Sequence, residues 1–263
     1  MPCKELPVFR ARDSTFLASL PIADWNRLRP KLQHVSLPLG GVIYESGVRL
    51  RHLYFPTTSI VSLQHVLASG EPTEIAVVGN EGVVGMSLLM ADGATPSRAV
   101  VRAEGGAYRL EAEILEEEFG AGTAMHTLLL LYAQALITQM AQTVVCNRHH
   151  TIDQQLCRWL LLSLDRLTSN KLRLTHEMIA NGLGVRREGV TEAANRLQSE
   201  GVIRCSRGCI TVVDRYSLEA RSCECYRVVK KESDRLMPAT TASFVFCRNG
   251  APPNRQMTPG RPC

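Results

Sequence analysis

Residues 174–201 constrain the fold more than any other part of the chain, and they read LTHEMIANGLGVRREGVTEAANRLQSEG. Apolar residues recur at helical spacing on both sides of Gly184, so this stretch predicts two short helices joined by a sharp turn. Glycine inside a helix costs about 1 kcal/mol relative to alanine, but at a turn it can take a positive φ that a side chain would resist. We therefore expect the chain to fold back at Gly184. Gly182 has no such explanation in the sequence.

The two helices have clear expected bounds. The first runs from His176 to Leu183, and Thr175 can cap it because its hydroxyl can accept a hydrogen bond from a free amide. The second runs from about Arg187 to Ser199. The segments VIRC, SRG and CITVVD that follow predict a β-hairpin. This order is that of a helix-turn-helix followed by a wing. The inner face of the second helix would then carry Val190, Ala193, Ala194 and Leu197.

The outer face of the second helix is polar and is the predicted DNA-contacting surface. An α-helix fits the major groove, where arginine pairs with guanine and glutamate accepts a hydrogen bond from cytosine. Helix amides and nearby arginines also bind backbone phosphates. The alternative is a helical hairpin whose polar face is only solvated. The spacing of glycine and small residues favours DNA binding over this alternative. The predicted contact residues are Thr175, Arg186, Arg187, Glu188, Thr191, Glu192, Asn195, Arg196 and, in a basic wing, Arg207.

Charge and cysteine content agree with an intracellular DNA-binding chain. Residues 148–237 carry 16 basic and 11 acidic side chains, whereas residues 1–147 carry 11 and 14. A mildly basic half suits a polyanionic partner. The nine cysteines are an odd number in a sequence without a signal peptide, which favours reduced thiols. Gln134 and Gln139 interrupt the longest apolar run, so we expect no membrane span and a cytoplasmic protein.

Between residues 35 and 110, short alternating or β-branched runs are separated by Gly, Pro, Asn and Ser. Such runs predict an N-terminal antiparallel β-roll of the jelly-roll type. We therefore expect an α+β fold with four parts. They are a β-roll sensor domain at 1–121, a long connecting helix at 122–148, a winged helix-turn-helix domain at 149–237 and a disordered tail at 238–263.

The long helix has two adjacent apolar stripes. One contains Leu129, Tyr132 and Leu136, and the other contains Leu130, Ala133, Ile137, Met140 and Val144. One stripe would suffice to pack on the β-roll, so the second allows a partner helix. A helix buried within one chain is the alternative, and the pattern does not decide between them. For the dimer we assign the contacts to Leu129, Tyr132, Leu136 and Met140.

The chain resembles the Crp/Fnr superfamily of bacterial transcription regulators. The resemblance lies in YFPTTSIVSL at 54–63, RAVVRAEGGAYRLEAE at 98–113 and the 174–213 segment with its EGVIR link. It implies a homodimer that places one recognition helix in each half of a palindromic operator on double-stranded DNA. It also implies contact with RNA polymerase if the protein is an activator. Arg187 and Glu188 match a base-reading pair of the family, whereas Glu192 stands where several members have arginine.

The same resemblance locates an effector pocket at Gly82, Val83, Gly85, Ser97 and Arg98. Nucleotide-binding relatives have Gly-Glu-Leu-Gly and Arg-Ser or Arg-Thr, but this chain has Gly-Val-Val-Gly at 82–85 and Ser-Arg at 97–98. Because alternate strand residues point to opposite sides, the reversed pair does not place the arginine equivalently. We therefore expect an unknown small-molecule effector, not cyclic AMP, and no cofactor.

Other chemistry is not expected. Cys205, Cys209, Cys223 and Cys225 lie in one region, but residues i and i+2 on a helix face different ways and C-x2-C spacing is absent, so we predict no metal site. The His149–His150 pair is interpreted as solvated or capping. The rival functions are a jelly-roll small-molecule-binding protein or metalloenzyme with an accessory helical domain, and a protein-interaction module. Only His52 and His65 lie between residues 35 and 125, which is few for a metalloenzyme.

Overall fold

The computed structural model describes residues 10–89, 93–120, 123–167 and 169–237. The predicted tail at 238–263 lies outside the described residues. The described part begins with a 3-10 turn at Ala11–Asp13, two short helices, Thr15–Ala18 (α1) and Ile22–Leu28 (α2), and a second 3-10 turn at Arg29–Lys31. Pro30 has no N–H group to donate, which suits a helix that ends just before it.

Seven strands form the predicted β-roll. They are Gln33–Leu37 (β1), Val42–Tyr44 (β2), His52–Pro56 (β3), Ile60–Val66 (β4), Pro72–Val78 (β5), Arg98–Ala103 (β6) and Gly105–Glu111 (β7). They pair in two antiparallel sheets, in the orders β1-β7-β3 and β2-β6-β4-β5. The short alternating or β-branched runs between residues 35 and 110 therefore form strands, as predicted.

The roll is filled by alternate side chains of both sheets. Leu53 and Phe55 from β3 and Val61 and Leu63 from β4 are buried there, as period-two patterning requires. Phe16 of α1 packs on Phe55 with ring centroids 5.6 Å apart. The N-terminal helices thus close one side of the same apolar core.

Two helices follow the roll, Ala112–Gly120 (α3) and Ala124–His149 (α4). The predicted long helix is present, but the dimer contacts assigned to it are wrong. Leu129, Tyr132 and Leu136 are buried in the β-roll core of the same chain, and Met140 packs against that core. The sequence shows two stripes but cannot show which one faces the roll.

The other side of α4 is an exposed seam. Its members are spaced alternately by four and three residues, which is the heptad pattern of a coiled-coil contact. Leu130, Ile137 and Val144 remain 56%, 55% and 69% exposed although they are large and apolar. We call this surface the α4 seam, formed by Leu130, Gln134, Ile137, Ala141, Val144 and Arg148.

Gln139 holds α4 in register with the roll. Its side-chain amide accepts a hydrogen bond from Val77 N at 2.8 Å and donates one to Val77 O at 3.1 Å. Among the described helices, α4 alone is long and apolar enough to span a membrane by length and composition. One side of it packs on the roll and buries this polar amide.

The C-terminal part combines helices with a small sheet. Its helices are Ile152–Leu164 (α5), His176–Leu183 (α6), Arg187–Ser199 (α7), Arg215–Arg221 (α8) and Glu224–Leu236 (α9). The strands Lys171–Leu172 (β8), Ile203–Ser206 (β9) and Cys209–Val212 (β10) pair in the order β8-β10-β9. Both predicted helix-turn-helix helices and the hairpin are therefore present, and the expected α+β fold is confirmed.

A buried charge joins this part to the roll. Arg102 of β6 pairs with Glu74 of β5 through nitrogen–oxygen distances of 2.8 and 2.9 Å, and both side chains are buried. The guanidinium carbon lies 3.7 Å from the centre of the Trp159 ring of α5, and the guanidinium also donates to the Ser163 hydroxyl. Two residues of the roll, Arg102 and Glu74, and two of α5 therefore take part in the same interaction.

Replacing Glu74 with glutamine should destabilise the protein strongly. The change keeps the side-chain shape but leaves the Arg102 charge buried without a counter-charge, so the expected loss of unfolding free energy is about 3–5 kcal/mol. Urea unfolding of the full chain measures it.

Glu104→Gln is the matched control, because Glu104 pairs with Arg173 at 3.0 Å on the exposed surface. That pair should contribute at most about 1 kcal/mol. Equal losses of unfolding free energy in the two variants would show that the buried pair stabilises the protein no more than the exposed pair does.

Candidate nucleic-acid interface

The turn between α6 and α7 has the predicted geometry. The Thr175 hydroxyl caps α6 by accepting a hydrogen bond from Met178 N at 3.2 Å. Gly184 ends the helix with φ 66° and ψ 36°, in the left-handed region where a side chain is unfavourable. Val185 N then donates to Ala180 O at 3.1 Å, which closes the turn.

Close packing explains Gly182, for which the sequence offered no reason. A β-carbon at this position would lie 3.1 Å from Nε1 of Trp159, which is tighter than an ordinary contact, so glycine lets α6 lie against α5 without displacing the indole. At Gly189 of α7 a β-carbon would lie 2.8 Å from Cδ1 of Ile152, the end of a flexible side chain that can move aside. Gly182 therefore serves the contact between the motif and α5, which local sequence patterns do not reveal.

The inner face of α7 is apolar and buried, as predicted. Val190, Ala193 and Ala194 have no exposed surface, and Leu197 has only 3%. The opposite face is solvent-exposed. It presents Arg187, Glu188, Glu192, Asn195 and Arg196, with Arg186 just before the helix.

Two predicted contact residues already have partners within the protein. The Thr191 hydroxyl donates to Arg187 O at 3.0 Å and lies 3.0 Å from Nδ1 of His176. Arg196 forms two hydrogen bonds with the Asp153 carboxylate of α5, at 2.7 and 3.0 Å, and this bonding raises the pKa of Arg196. Both side chains therefore orient α7 on its neighbours, whereas Arg187 and Glu188 point to solvent.

The β9–β10 hairpin forms a tight basic wing. Arg207 and Gly208 have φ values of 29° and 76°, so two consecutive residues in the turn have positive φ. Arg204 and Arg207 are exposed. Arg207 lines one groove together with Thr175 and Arg187, so the wing, the cap and the start of α7 face a common space.

The residues expected to form the effector pocket are mostly buried. Val83 is fully buried, and a β-carbon on Gly82 would clash with the Tyr132 ring of α4. Gly85 has φ 106° and lies against the backbone of His52. The space beside the 82–85 turn is thus filled by the long helix.

The other two pocket residues lie at the start of β6. Ser97 is buried, and its hydroxyl is 2.9 Å from that of Thr95. Nε of Arg98 lies 3.6 Å from the Glu45 carboxylate. An anion bound by Arg98 would have to compete with this partner.

The four cysteines discussed from the sequence fall into two groups. Cys205 and Cys209 lie on the two wing strands. Cys223 and Cys225 lie at the start of α9, on the side that contacts α4. They share that location with Cys146, which the sequence did not connect with them because it precedes Cys223 by 77 residues.

Comparison with known proteins identifies the type of helix-turn-helix domain that the chain contains. The sequence model of the Crp-like helix-turn-helix domain matches residues 154–221, which include α6, α7 and the wing. No curated protein sequence matches the chain.

Solved structures share the fold over most of this chain. FixK2 from Bradyrhizobium japonicum is 17% identical with a TM-score of 0.61, and the alignment covers 73% of this chain and 98% of that one. A putative regulator of the Crp/Fnr family from Eubacterium rectale is 19% identical with a TM-score of 0.59, covering 82% and 99%. A CRP-family regulator from Thermus thermophilus is 20% identical with a TM-score of 0.60, covering 72% and 96%.

The matched domain and the shared fold agree with the expectation drawn from the sequence. The chain therefore carries a Crp-like helix-turn-helix domain behind a β-roll and a long connecting helix, and it shares its fold with these solved regulators.

Proposed function

We propose that this chain acts as a homodimer that recognises a roughly palindromic operator and regulates transcription in the cytoplasm. The observation that carries the proposal is the division of α7 into two faces. Its apolar face is fully buried, while Arg187 and Glu188 stand free at its N-terminal end beside the wing. This is the end that enters the major groove in helix-turn-helix proteins.

The exposed residues have the chemistry for base reading. Arginine at 187 can donate two hydrogen bonds to guanine, and glutamate at 188 or 192 can accept one from cytosine N4. The exposed Arg204 and Arg207 of the wing suit phosphate contacts, which position the protein without reading sequence. Carboxylates facing DNA are unfavourable unless they meet a base donor, which favours a sequence-specific binder over a non-specific one.

The α4 seam supports the homodimer. Two parallel copies of α4 could pair through Leu130, Ile137 and Val144, which would remove three large apolar side chains from water. A twofold axis along this seam would present two α7 helices to half-sites separated by about 34 Å, one turn of DNA.

An effector would act through the roll and α4. A ligand at the 82–85 turn would have to displace the Tyr132 ring, and Tyr132 belongs to the helix that carries the seam. Such a ligand would therefore bias the dimer geometry as well as occupy the roll. If the protein is an activator, RNA polymerase is a further expected partner.

The rival metalloenzyme has less support. His52 lies on β3 and His65 on β4, which belong to different sheets. In the part of the chain that the structure describes, the one group of His, Cys, Asp and Glu residues close enough for a metal lies outside the roll.

Arg187→Ala should weaken binding to a selected operator by about 10- to 100-fold and relax selection at one base position, because it removes about 1–3 kcal/mol of base discrimination. Fluorescence anisotropy with the selected duplex and with single-base variants measures both effects. The matched control is Arg235→Ala on α9, an exposed arginine paired with Glu232 in its own helix. An equal loss of affinity for all duplex sequences, or no loss of affinity, would contradict base reading by Arg187.

Ile137→Asp should convert the dimer to a monomer, because it places a charge in the centre of the seam. Sedimentation equilibrium measures the mass of the assembly. The affinity for the operator should also fall, because the dimer is lost. Ile22→Asp is the control, since Ile22 is 64% exposed and lies on α2, away from the seam. A dimer that persists in the Ile137 variant would show that another surface pairs the subunits.

A further inference from the structure

Three cysteines and a histidine meet where the end of α4 contacts the start of α9. The side-chain ligand atoms of Cys146, His150, Cys223 and Cys225 all lie within 4.8 Å of one another. We call this group the thiol–histidine cluster. Its four residues lie at the end of α4 and the start of α9, which pack together. The proposed DNA contacts include none of them.

The distances in the cluster fit a tetrahedral metal site. A metal with sulfur ligands at about 2.3 Å and nitrogen at about 2.0 Å would place two sulfurs about 3.8 Å apart and sulfur and nitrogen about 3.6 Å apart. Sγ of Cys146 lies 3.6 Å from Sγ of Cys223, and Sγ of Cys225 lies 3.6 Å from Nδ1 of His150. Both pairs are therefore already near the separation of ligands that share one ion.

Local structure brings the four side chains to one point. Cys146 lies in the last turn of α4, and His150 is the C-cap residue, whose backbone N–H donates to Cys146 O at 3.1 Å and so keeps the two residues together. Cys223 is the N-cap of α9, with extended φ and ψ of −75° and 166°. The sequence argument that residues i and i+2 of a helix diverge therefore does not apply, because Cys223 is not in the helix. His150 is the C-cap residue of α4, as one of its two interpretations had it, but it is not solvated, since its side chain is 12% exposed and faces the thiols.

Neighbouring groups orient the histidine as metal sites require. Nε2 of His150 lies 3.3 Å from the Glu224 carboxylate, while Nδ1 faces the cysteines. Metal-bound histidines usually donate their second nitrogen to a carboxylate, which fixes the ring and its tautomer. Nε2 of Gln155 donates to His150 O at 2.8 Å and so also holds this end of α4.

Burial and charge fit a closed site. Cys146 and Cys225 have no exposed surface and Cys223 has 2%. The buried Arg158 guanidinium interacts electrostatically with Cys146 and Cys225, and its Nε has no hydrogen-bond partner. Three thiolates and a divalent ion have a net charge of −1, which this arginine would offset.

We propose that the thiol–histidine cluster binds one Zn²⁺ ion as a structural Cys3His site. On binding, the thiol protons pass to solvent, and the ion forms three bonds to sulfur and one to Nδ1 of His150. The site is complete without water or substrate, so it ties α9 to α4 and has no open catalytic position.

Zinc titration of the full chain tests the site. The protein is stripped with a chelator under reducing conditions, and the expected result is one Zn²⁺ bound per chain. Substitution with Co²⁺ should give intense sulfur-to-metal charge-transfer absorption and the strong visible bands of a tetrahedral thiolate site. Absence of one-to-one binding, or a Cys146–Cys223 disulfide that persists under the reducing conditions, would overturn the proposal.

Variants assign the ligands. Cys223→Ser should lower zinc affinity by about 100-fold or more, because loss of an outer partner alone costs about 10- to 100-fold. Cys209→Ser on the wing is its control. His150→Gln should also lower the affinity, whereas His149→Gln, at the exposed neighbour, should not. Unchanged affinity in both ligand variants would refute the assignment, and a variant that fails to fold leaves the cobalt spectrum of the unaltered chain as the deciding measurement. None of these readouts involves DNA, so failure here is distinguishable from failure of the proposed function.

Discussion

The buried guanidinium of Arg102 is the constraint on which the arrangement of the two parts of the chain depends. A full charge inside a protein is tolerated only when its donors are matched, and here Glu74, the Ser163 hydroxyl and the Trp159 ring supply the match. Because the partners come from both the roll and α5, the charge can be satisfied in few relative positions. The orientation of α5, and of α6 and α7 that pack on it, follows from this requirement.

The parts of the fold that depend on local patterns could be predicted from the sequence. Alternating runs gave the seven strands, and the turn glycine at 184 with apolar spacing on either side gave α6 and α7 within their observed bounds. Periodicity could not say which stripe of α4 faces the roll, since both are apolar. It therefore assigned Leu129 and Tyr132 to a partner subunit, although they fill the core.

The exposed positions proposed to read bases were predictable, but the partners of the neighbouring side chains were not. Arg187 and Glu188 face solvent as helical spacing requires, whereas Arg196 turns to Asp153 on a helix 43 residues earlier in the chain. The thiol–histidine cluster was hidden for the same reason. Its two halves are separated along the chain, and one cysteine leaves the helical register at a cap. Contacts of this kind depend on how α4 and α9 pack, which no local pattern encodes.

Gln139 has a consequence for the solubility of the protein. Strand β5 is the last strand of its sheet, so its outer backbone groups would be free to pair with a strand from another molecule. The Gln139 amide donates to and accepts from Val77 just as a neighbouring strand would, and α6 packs along the same strand. One side chain thus imitates a missing strand and helps protect the sheet against edge-to-edge aggregation, a role that an apolar residue of the same size could not fill.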